Sequence, residues 1–407
     1  MIGKFSGKFD SAASSFRNGG NGADLEAVMD EGDRAASLAG GRLTIDLDAV
    51  VANLRHVEAA TAPARVAAVV KADAYGLGAG PVAAALAGAG CRDFFVADLA
   101  EALDLRPHVG GQASIHVLHG LWPGTEALAL EAGVTPVLNS LAQVRAWAEL
   151  ARTEGRRLPA VLQLDSGMSR LGLSDDDVAA LAAEPQGLEA LDVNYVMSHL
   201  ASADQPGEDV NAAQRASFER LAALLPARPR TLANSAAALG DPLTHGDLVR
   251  AGLALYGVAP GPGPAAGLRP VVSLSARVIQ VRTLPAGTGV GYGLTYTTRG
   301  TERIATVGVG YADGWPRALS NRGAAWFGGV RLPIVGQVSM DSMMVDVSAL
   351  APDALGAGEA VELIGPHQSV ADVAALAGTI PYEILTRLGR RYARRYVGGA
   401  SAQGMRA

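Results

Sequence analysis

Eight short apolar runs alternate with Ala- and Leu-rich helical stretches between residues 66 and 257. The runs cover residues 66–73, 93–98, 114–120, 134–140, 160–167, 193–200, 230–237 and 247–257. Most are apolar almost without interruption, which is typical of parallel strands buried on both faces. Eight strand–helix units predict an α/β fold with a (β/α)8 barrel of the TIM type. An open doubly wound sheet is the alternative, but no G-x-G-x-x-G follows the first run.

The segment VAPGPGPAAGLRP, at residues 258–270, is dense in proline and glycine and therefore predicts a domain boundary. Short strand-like runs separated by turns follow it. We therefore predict a C-terminal, mainly β domain over residues 266–407 after a barrel over residues 41–265. Residues 1–40 are rich in Gly, Ser, Ala and Asp and predict a flexible N-terminal extension.

The overall charge and composition exclude several classes of protein. The formal net charge is −6 and no long basic run occurs, so nucleic acid is not an expected partner. No stretch is long and apolar enough for a membrane helix, and the N-terminus lacks the apolar segment of a secretory signal. We therefore expect a cytoplasmic protein. The lone cysteine, Cys91, allows no intramolecular disulfide, and no metal-ligand spacing is present, so no metal is expected.

Lysine is rare in this chain, in which almost every basic residue is arginine. The lysines are Lys4, Lys8 and Lys71, and the first two lie in the predicted extension. An amine can lose its proton and attack a carbonyl carbon, whereas a guanidinium stays protonated. The lysine of the folded body is therefore a candidate for covalent chemistry. On composition alone, a surface lysine retained by chance is an equal alternative.

The motif VVKADAYGLG places Lys71 at the end of the first predicted strand, with Tyr75 four residues further on. A lysine that binds a cofactor covalently needs partial burial, which lowers its pKa, and room for a planar ring. A strand-ending lysine in solvent is the alternative, but the rarity of lysine favours a function. Barrel active sites are built at the carboxyl ends of the strands. The other runs also end in polar residues, namely Asp98, His119, Asn139, Asp165, His199, Asn234 and Ser235.

The motifs ANSAA and RAGLALYG indicate a phosphate site. Asn234 and Ser235 lie at a predicted strand–helix junction, where free backbone N–H groups attract phosphate, and Gly252 adds another N–H at close approach. A plain helix N-cap is the alternative for both polar residues. Their position favours the phosphate site, because the loops after the seventh and eighth strands of such barrels often bind phosphate.

Three other residues are weak candidates when each is taken alone. Arg170 in DSGMSRLG is a candidate anion clamp, although a solvated arginine is more common in such a turn. His199 in SHLASAD ends a strand, although a core histidine bonded to the backbone is more common. Tyr311 in GYADGWPR can act as an acid–base group where positive charge lowers its pKa, and a turn aromatic is the alternative. The candidates without a signal of their own are Met340, Asp341 and Tyr382.

The chain resembles the alanine racemases over about residues 41–398. The resemblance rests on eight motifs in a fixed order: VVKADAYG, SGMSRLG, SHLASAD, ANSAA, RAGLALYG, GYADG, VSMDS and PYEILT. It implies a barrel that carries pyridoxal 5'-phosphate (PLP), a C-terminal β domain that the first strand (about residues 42–48) joins, and a head-to-tail homodimer. The implied reaction interconverts L-alanine and D-alanine, either to supply D-alanine for peptidoglycan or to catabolise alanine.

The resemblance also implies a role for each site residue. Lys71 would carry PLP and act as the base on one face of the substrate Cα, and Tyr311 from the partner subunit would act on the opposite face. Arg250 would face the pyridine nitrogen and disfavour its protonation, and His199 would hydrogen-bond Arg250 and Tyr311. The residues implied to bind the cofactor, mainly at its phosphate, are Tyr75, Asn234, Ser235, Gly252, Leu253 and Tyr382. Those implied to meet the substrate carboxylate are Arg170, which also reaches the cofactor's phenolic oxygen, and Met340, with Asp341 in support.

One position departs from the family pattern. Many alanine racemases carry a carbamylated lysine seven residues before the arginine, and this chain has Gln163 there. The glutamine amide oxygen can accept a hydrogen bond from Arg170 but carries no charge. We therefore expect no carbamate, and either weaker fixing of Arg170 or a bound anion nearby.

Three other functions compete with this interpretation. A non-catalytic PLP-binding barrel leaves the β domain with GYADG unexplained. A PLP decarboxylase of similar layout uses a catalytic cysteine in the C-terminal domain, whereas Cys91 lies in the predicted barrel. A broader amino-acid racemase that acts on serine stays open, because small changes in a pocket alter substrate preference by only about 1–3 kcal/mol.

Overall fold

The N-terminal half of the protein alternates strands with helices. The computed structural model describes residues 38–184, 186–205, 209–261 and 267–399, so most of the predicted N-terminal extension lies outside the described residues. The strands of this half are β1 (Gly41–Asp46), β2 (Arg65–Val69), β3 (Asp93–Val96), β4 (Ser114–Val117), β5 (Thr135–Leu138), β6 (Leu158–Gln163), β7 (Leu191–Met197), β8 (Arg230–Thr231) and β9 (Leu248–Ala251). The helices are α1 (Leu47–Thr61), α2 (Ala79–Gly88), α3 (Leu99–Val109), α4 (Glu126–Glu131), α5 (Leu141–Thr153), α6 (Asp175–Ala183), α7 (Gln186–Glu189), α8 (Asp209–Ala222) and α9 (Ser235–Gly240).

Strands β2 to β9 form one parallel sheet in the order β8-β7-β6-β5-β4-β3-β2-β9. The backbone N–H groups of Asp247 and Arg250 donate to the carbonyls of Arg230 and Ala233 at 2.8 and 3.0 Å. These bonds join the last two strands and close the sheet into a barrel. Each of the eight predicted runs overlaps one barrel strand, so the predicted (β/α)8 barrel is confirmed. All carboxyl ends of a parallel barrel point the same way, which brings the candidate residues to one rim.

The run at 247–257 is a strand only over Leu248–Ala251, because Leu253–Tyr256 form a 3-10 helix. Two other predicted strands are also wrong in extent. The run at 66–73 is a strand only as far as Val69, because residues 72–75 adopt a left-handed conformation that no strand allows. The run at 230–237 is a strand only over Arg230–Thr231, because Asn234 caps helix α9. In both places an apolar run continues past the strand into the residues of the rim.

The C-terminal half is mainly β, as predicted. Its strands are β10 (Val272–Leu284), β11 (Gly289–Val290), β12 (Tyr296–Thr297), β13 (Glu302–Val307), β14 (Ala324–Phe327), β15 (Val330–Pro333), β16 (Met343–Asp346), β17 (Ala360–Ile364) and β18 (Ala393–Val397). Two helices, α10 (Val370–Ala377) and α11 (Pro381–Thr386), precede the last strand. Six strands form the sheet path β15-β14-β17-β10-β1-β18, and β13 and β16 extend it from β10.

Strand β1 belongs to the sheet of the C-terminal half although it comes first in the chain. It pairs antiparallel with β10 and parallel with β18. Side chains alternate between buried and half-buried along β1, as in a strand with one face on the core. The first and last described strands of the protein are therefore neighbours.

Other described features bear on the classes of protein considered above. No helix in the described part of the chain is both long and apolar enough to cross a bilayer. Within the same residues, no group of three or more His, Cys, Asp or Glu side chains is placed to hold a metal ion. Cys91 is buried, and burial raises the pKa of its thiol to about 11, which keeps it protonated and unreactive near neutral pH.

Candidate active site

Lys71 stands at the head of a strained turn. Residues 72–75, called the left-handed turn below, all have φ between +52° and +57°. The left-handed conformation costs about 1–2 kcal/mol for each L-residue, so the four residues together cost about 4–8 kcal/mol. Strain of this kind persists only where surrounding contacts fix it, and it clusters at functional sites.

Contacts from two elements hold the left-handed turn. At its start, the Ala72 N–H donates to Glu101 Oε1 of helix α3 at 2.7 Å. Just beyond its end, Arg394 Nη1 of strand β18 donates to the Gly76 carbonyl at 2.7 Å. Helix α3 of the barrel and the last strand of the β domain therefore fix the backbone on either side of Tyr75.

Charged groups surround the Lys71 amine. Burial lowers its pKa most, the positive charge of Arg170 lowers it further, and Arg250 acts in the same direction. The carboxylate of Glu101 opposes them and raises the pKa. The balance lies below the ordinary lysine value, which favours the neutral amine that can act as a nucleophile or a base.

Arg250 is a buried cation whose hydrogen-bond partners in the described structure are all neutral. Its guanidinium donates to Thr231 Oγ1 at 2.7 Å, and to the carbonyls of Ser198 and Leu232 at 2.8 and 3.1 Å. Its Nη2 also lies 3.3 Å from Nδ1 of His199. Burial lowers the pKa of Arg250 to about 10, so the guanidinium stays charged at neutral pH. The strand ends thus fix one positive charge at the rim of the barrel.

His199 is held in its neutral form. Burial lowers its pKa to about 3, and the charges of Arg250, Arg170 and Lys71 add to that effect. Because a guanidinium can only donate hydrogen bonds, His199 Nδ1 must accept from Arg250, and the ring proton lies on Nε2. The Nε2–H is therefore available as a donor to a further group.

The hydroxyl of Ser235 binds backbone N–H groups of the segment that follows β9. Its Oγ accepts from the N–H groups of Gly252 and Ala254 at 2.8 and 3.3 Å. A Cβ on Gly252 would collide with the hydroxyl of Tyr75, so only glycine allows this approach. Asn234 is the N-cap of α9 and accepts from two N–H groups of its first turn at 3.0 and 3.1 Å. A hydroxyl, a phenol and several N–H groups thus share one corner of the rim.

Three tyrosines pack together beside this corner. The ring of Tyr75 lies 4.8 Å from that of Tyr256 and 5.8 Å from that of Tyr382. The Tyr256 hydroxyl donates to the carbonyl of Val69 at 2.9 Å, which fixes the ring against the end of β2. Burial raises the pKa of Tyr75 well above the ordinary tyrosine value, so its hydroxyl keeps its proton and can donate.

Arg170 lies in an exposed loop between β6 and α6. The carboxylate of Asp165 organises this loop by accepting from two of its N–H groups at 2.9 and 3.0 Å. The amide nitrogen of Gln163 donates to the carbonyl of Leu171 at 3.2 Å. Gln163 therefore contacts the backbone next to Arg170 in the described structure, and the predicted absence of a carbamate stays a prediction.

Tyr311 and Met340 come together in the β domain. The N–H of Tyr311 donates to the carbonyl of Ser339 at 3.0 Å, and the N–H of Ala312 donates to that of Met340 at 2.9 Å. A Cβ on Gly310 would collide with both carbonyls, so the close approach needs glycine there. The side chains of Tyr311 and Met340 are 42% and 53% exposed. The two segments thus present a phenol and an apolar side chain together at the surface.

Arg391 ties these two segments to each other. Its Nε lies 2.8 Å from Asp313 Oδ1, and its Nη1 lies 2.6 Å from Asp341 Oδ1. The second oxygen of Asp313 accepts from the Gly310 N–H at 2.8 Å. Asp341 therefore supports the Met340 segment through Arg391.

The candidate residues fall into two separate groups. Within the described part of the single chain, no hydrogen bond joins Tyr311 or Met340 to the group around Lys71. The members of that first group are Lys71, Tyr75, Arg170, His199, Asn234, Ser235, Arg250, Gly252, Leu253 and Tyr382, with Gln163 beside them. The second group consists of Tyr311, Met340 and Asp341.

Comparison with protein families gives one consistent result. The family model for the alanine racemase N-terminal domain matches residues 45–260, and that for the alanine racemase C-terminal domain matches residues 271–396. This chain belongs to the alanine racemase family. The alanine racemase of Brucella abortus (strain 2308) is 52% identical over 386 residues, which cover 92% of this chain and 97% of that protein.

Two further members of the alanine racemase family show the range of the likeness. The "Alanine racemase, catabolic" of Mesorhizobium japonicum is 52% identical over 361 residues, covering 89% of this chain and 94% of that protein. The crystal structure of the alanine racemase of Bartonella henselae superposes with a TM-score of 0.86 at 43% identity, covering 88% of this chain and all of that one. That structure is described as having covalently bound pyridoxal phosphate.

Sequence reasoning missed three residues of this alanine racemase site. Glu101 follows Asp98 by three residues, a spacing typical of an ordinary helix-capping pair. Tyr256 lies inside the quoted motif RAGLALYG, where it resembles a core aromatic. Arg391 is one of several arginines near the C-terminus, and no local pattern distinguishes it. Only Tyr256 offered a usable signal, through its position four residues after Gly252.

Proposed function

We propose that this chain is an alanine racemase that interconverts L-alanine and D-alanine with PLP held on Lys71. The observation that carries the proposal is the Lys71 amine itself. It is substantially buried, its pKa is lowered by burial and by two arginines, and a strained turn fixes its backbone. This arrangement occurs in a chain that is 52% identical to alanine racemases over nearly its whole length.

The described residues fit PLP. A phosphate needs several donors at close approach, and the hydroxyls of Ser235 and Tyr75 and the N–H groups of Gly252 and Leu253 would supply them. The Gly252 N–H would turn to the phosphate from Ser235 Oγ, to which it donates in the described structure. The missing Cβ at Gly252 lets the Tyr75 hydroxyl approach the backbone at this corner. When bound, PLP supplies a conjugated ring that takes up the negative charge left at the substrate Cα.

The residues of the barrel would bind and orient the cofactor and the substrate. Lys71 would hold the cofactor and would move the proton on one face of the substrate Cα. Ser235, which Asn234 fixes by capping its helix, donates to the phosphate with Tyr75, Tyr382, Gly252 and Leu253. Arg250 would face the ring nitrogen of the cofactor, and because its charged guanidinium carries only donors it would disfavour protonation of that nitrogen.

Racemisation needs a second proton-transfer group, because the two enantiomers present their Cα protons to opposite faces. We assign this group to Tyr311 of the partner subunit, since no described contact brings Tyr311 to Lys71 within one chain. The Nε2–H of His199 would donate a hydrogen bond to the oxygen of that phenol and hold it in place. Arg170 would bind the substrate carboxylate together with the backbone of Met340 from the partner subunit.

The proposal therefore includes a head-to-tail homodimer. Several large apolar side chains of the β domain are exposed in the single chain, as is usual for the surface of a subunit that pairs with another. They include Ile279, Tyr292, Leu294 and Ile380, besides Tyr311 and Met340. Trp122 is 70% exposed on the barrel, just beyond β4, and offers an apolar contact on the opposite half.

The activity is tested by chiral chromatography of L-alanine incubated with the purified, PLP-supplied protein, beside L-serine. We expect conversion toward an equal mixture, fastest with alanine, and none with Lys71→Ala. Tyr311→Phe should lower kcat by about 100-fold or more, the usual worth of a general acid–base group, whereas the matched variant Tyr296→Phe should not. Equal or faster conversion of serine would favour the broader racemase, and no conversion of either would reject the proposal.

The shared site is tested by mixing the two inactive proteins. A dimer of one Lys71→Ala subunit and one Tyr311→Phe subunit keeps one intact site, so a randomly reassembled equal mixture should regain about a quarter of the parental activity. No recovery, with mixed dimers shown by mass spectrometry, would place both groups in one chain and refute the head-to-tail assignment.

A further inference from the structure

Glu101 joins the ends of two neighbouring barrel strands. Its Oε1 accepts from the N–H of Ala72 at 2.7 Å, and its Oε2 accepts from the N–H of Ala97 at 2.7 Å. Ala97 directly follows β3, and Ala72 directly follows Lys71. Both oxygens of one carboxylate are therefore used to bind backbone at the rim of the barrel.

Helix capping does not explain this arrangement. Asp98 already caps helix α3 and accepts from the Glu101 N–H at 3.1 Å. In a capping box the glutamate side chain would reach back to the N–H of Asp98. Here it reaches the ends of β2 and β3, which lie outside its own helix. The carboxylate acts on the backbone beside Lys71.

The charge of Glu101 also stands out among the groups that act on Lys71. Arg170 and Arg250 are positive and lower the pKa of the amine, whereas Glu101 raises it. His199 also lies within electrostatic reach of the amine, but its lowered pKa keeps it neutral. Glu101 is thus the acidic member of the set of charged groups around the amine.

We propose that Glu101 is a positioning residue for Lys71. The Glu101 carboxylate fixes the left-handed turn after the lysine, and its negative charge offsets the positive charges of the two arginines near the amine. Its consequence for catalysis rests on the function proposed above. Its effect on the amine does not, because both contacts are made to the backbone of this chain and neither involves a cofactor atom. The two effects can be separated by changing the charge and the reach of the side chain independently.

The first measurement uses the full-length chain freed of cofactor. The rate of Lys71 acetylation is followed across pH by peptide mass spectrometry, with Lys4 and Lys8 of the same chain as internal references. Glu101→Gln removes the negative charge, so the pH midpoint of Lys71 acetylation should move to lower pH. Glu101→Asp keeps the charge, and Asp104→Asn removes one exposed charge from the same helix, so both should keep the parental midpoint. A parental midpoint in Glu101→Gln overturns the proposal whether or not the protein is a racemase.

The second measurement is the steady-state rate of the PLP-loaded protein. Glu101→Asp shortens the reach of the carboxylate and should lower kcat about tenfold with little change in KM, because a small displacement of a catalytic group is costly. Asp104→Asn should keep the parental kcat. A parental kcat in Glu101→Asp would overturn the positioning role, even if Glu101→Gln failed to fold. Absence of activity in the parent protein would instead reject the proposed function, leaving the acetylation result to decide on Glu101.

Discussion

Mild acid should destabilise this protein through His199. Burial and neighbouring cations lower the pKa of His199 from its ordinary 6.5 to about 3 in the folded protein. Between these values the unfolded chain binds a proton that the folded chain does not, so the free energy of unfolding falls as the pH falls. At about 1.4 kcal/mol for each pKa unit, the whole effect is about 5 kcal/mol, and about 2 kcal/mol of it is lost by about pH 5.

Urea unfolding followed by tryptophan fluorescence at about pH 7.5 and about pH 5 would measure this loss. One protein concentration is used throughout, because the stability of the proposed dimer would depend on it. His199→Gln has no proton to bind, so its loss between the two pH values should be about 2 kcal/mol smaller than that of the parent. His119→Gln is the control, because His119 is exposed near the same rim. An equal loss in the parent and in His199→Gln would refute the reasoning.

Two further substitutions test the packing of the site. Gly252→Ala places a Cβ against the Tyr75 hydroxyl, so the tyrosine ring must shift away from the proposed phosphate site. We expect PLP binding, measured by equilibrium dialysis, to weaken about tenfold. An unchanged affinity for PLP in this variant would contradict the proposed phosphate site. Asn53→Ala removes three hydrogen bonds, to the carbonyls of Leu255 and Arg269 at 3.1 and 2.9 Å and from the Arg269 N–H at 2.7 Å. The free energy of unfolding by urea should fall by about 2–4 kcal/mol, and a fall below about 1 kcal/mol would show that these bonds contribute little.

The barrel could be predicted because its strands are apolar almost throughout. Such runs mark parallel strands well, and each predicted run overlaps an observed strand. The ends of the strands could not be predicted from the same signal. Residues 72–75 contain no glycine, yet all four adopt a positive φ because contacts from distant elements fix the backbone around them. Hydrophobic periodicity carries no information about the sign of φ.

The candidate site was predictable in its residue types but less so in its connections. Lys71 was visible through the rarity of lysine, and Asn234 was visible as a polar residue at a strand end. Glu101 was not visible, since its two partners are backbone N–H groups at positions 72 and 97 that only the closed barrel brings together. The separation of Tyr311 from Lys71 also depends on tertiary structure, because no sequence pattern states which groups share a surface.

The pairing of β1 with β10 and β18 has a consequence for how the protein is made. A ribosome completes β1 more than 200 residues before β10, so the first strand leaves the exit tunnel without a partner. Arg394, which donates to the Gly76 carbonyl, is added 318 residues after Gly76. The barrel can therefore gather its strands during synthesis, but the backbone around Lys71 acquires its final support only when the last strand arrives. The contacts on the two sides of Tyr75 are thus complete only once β18 has been made.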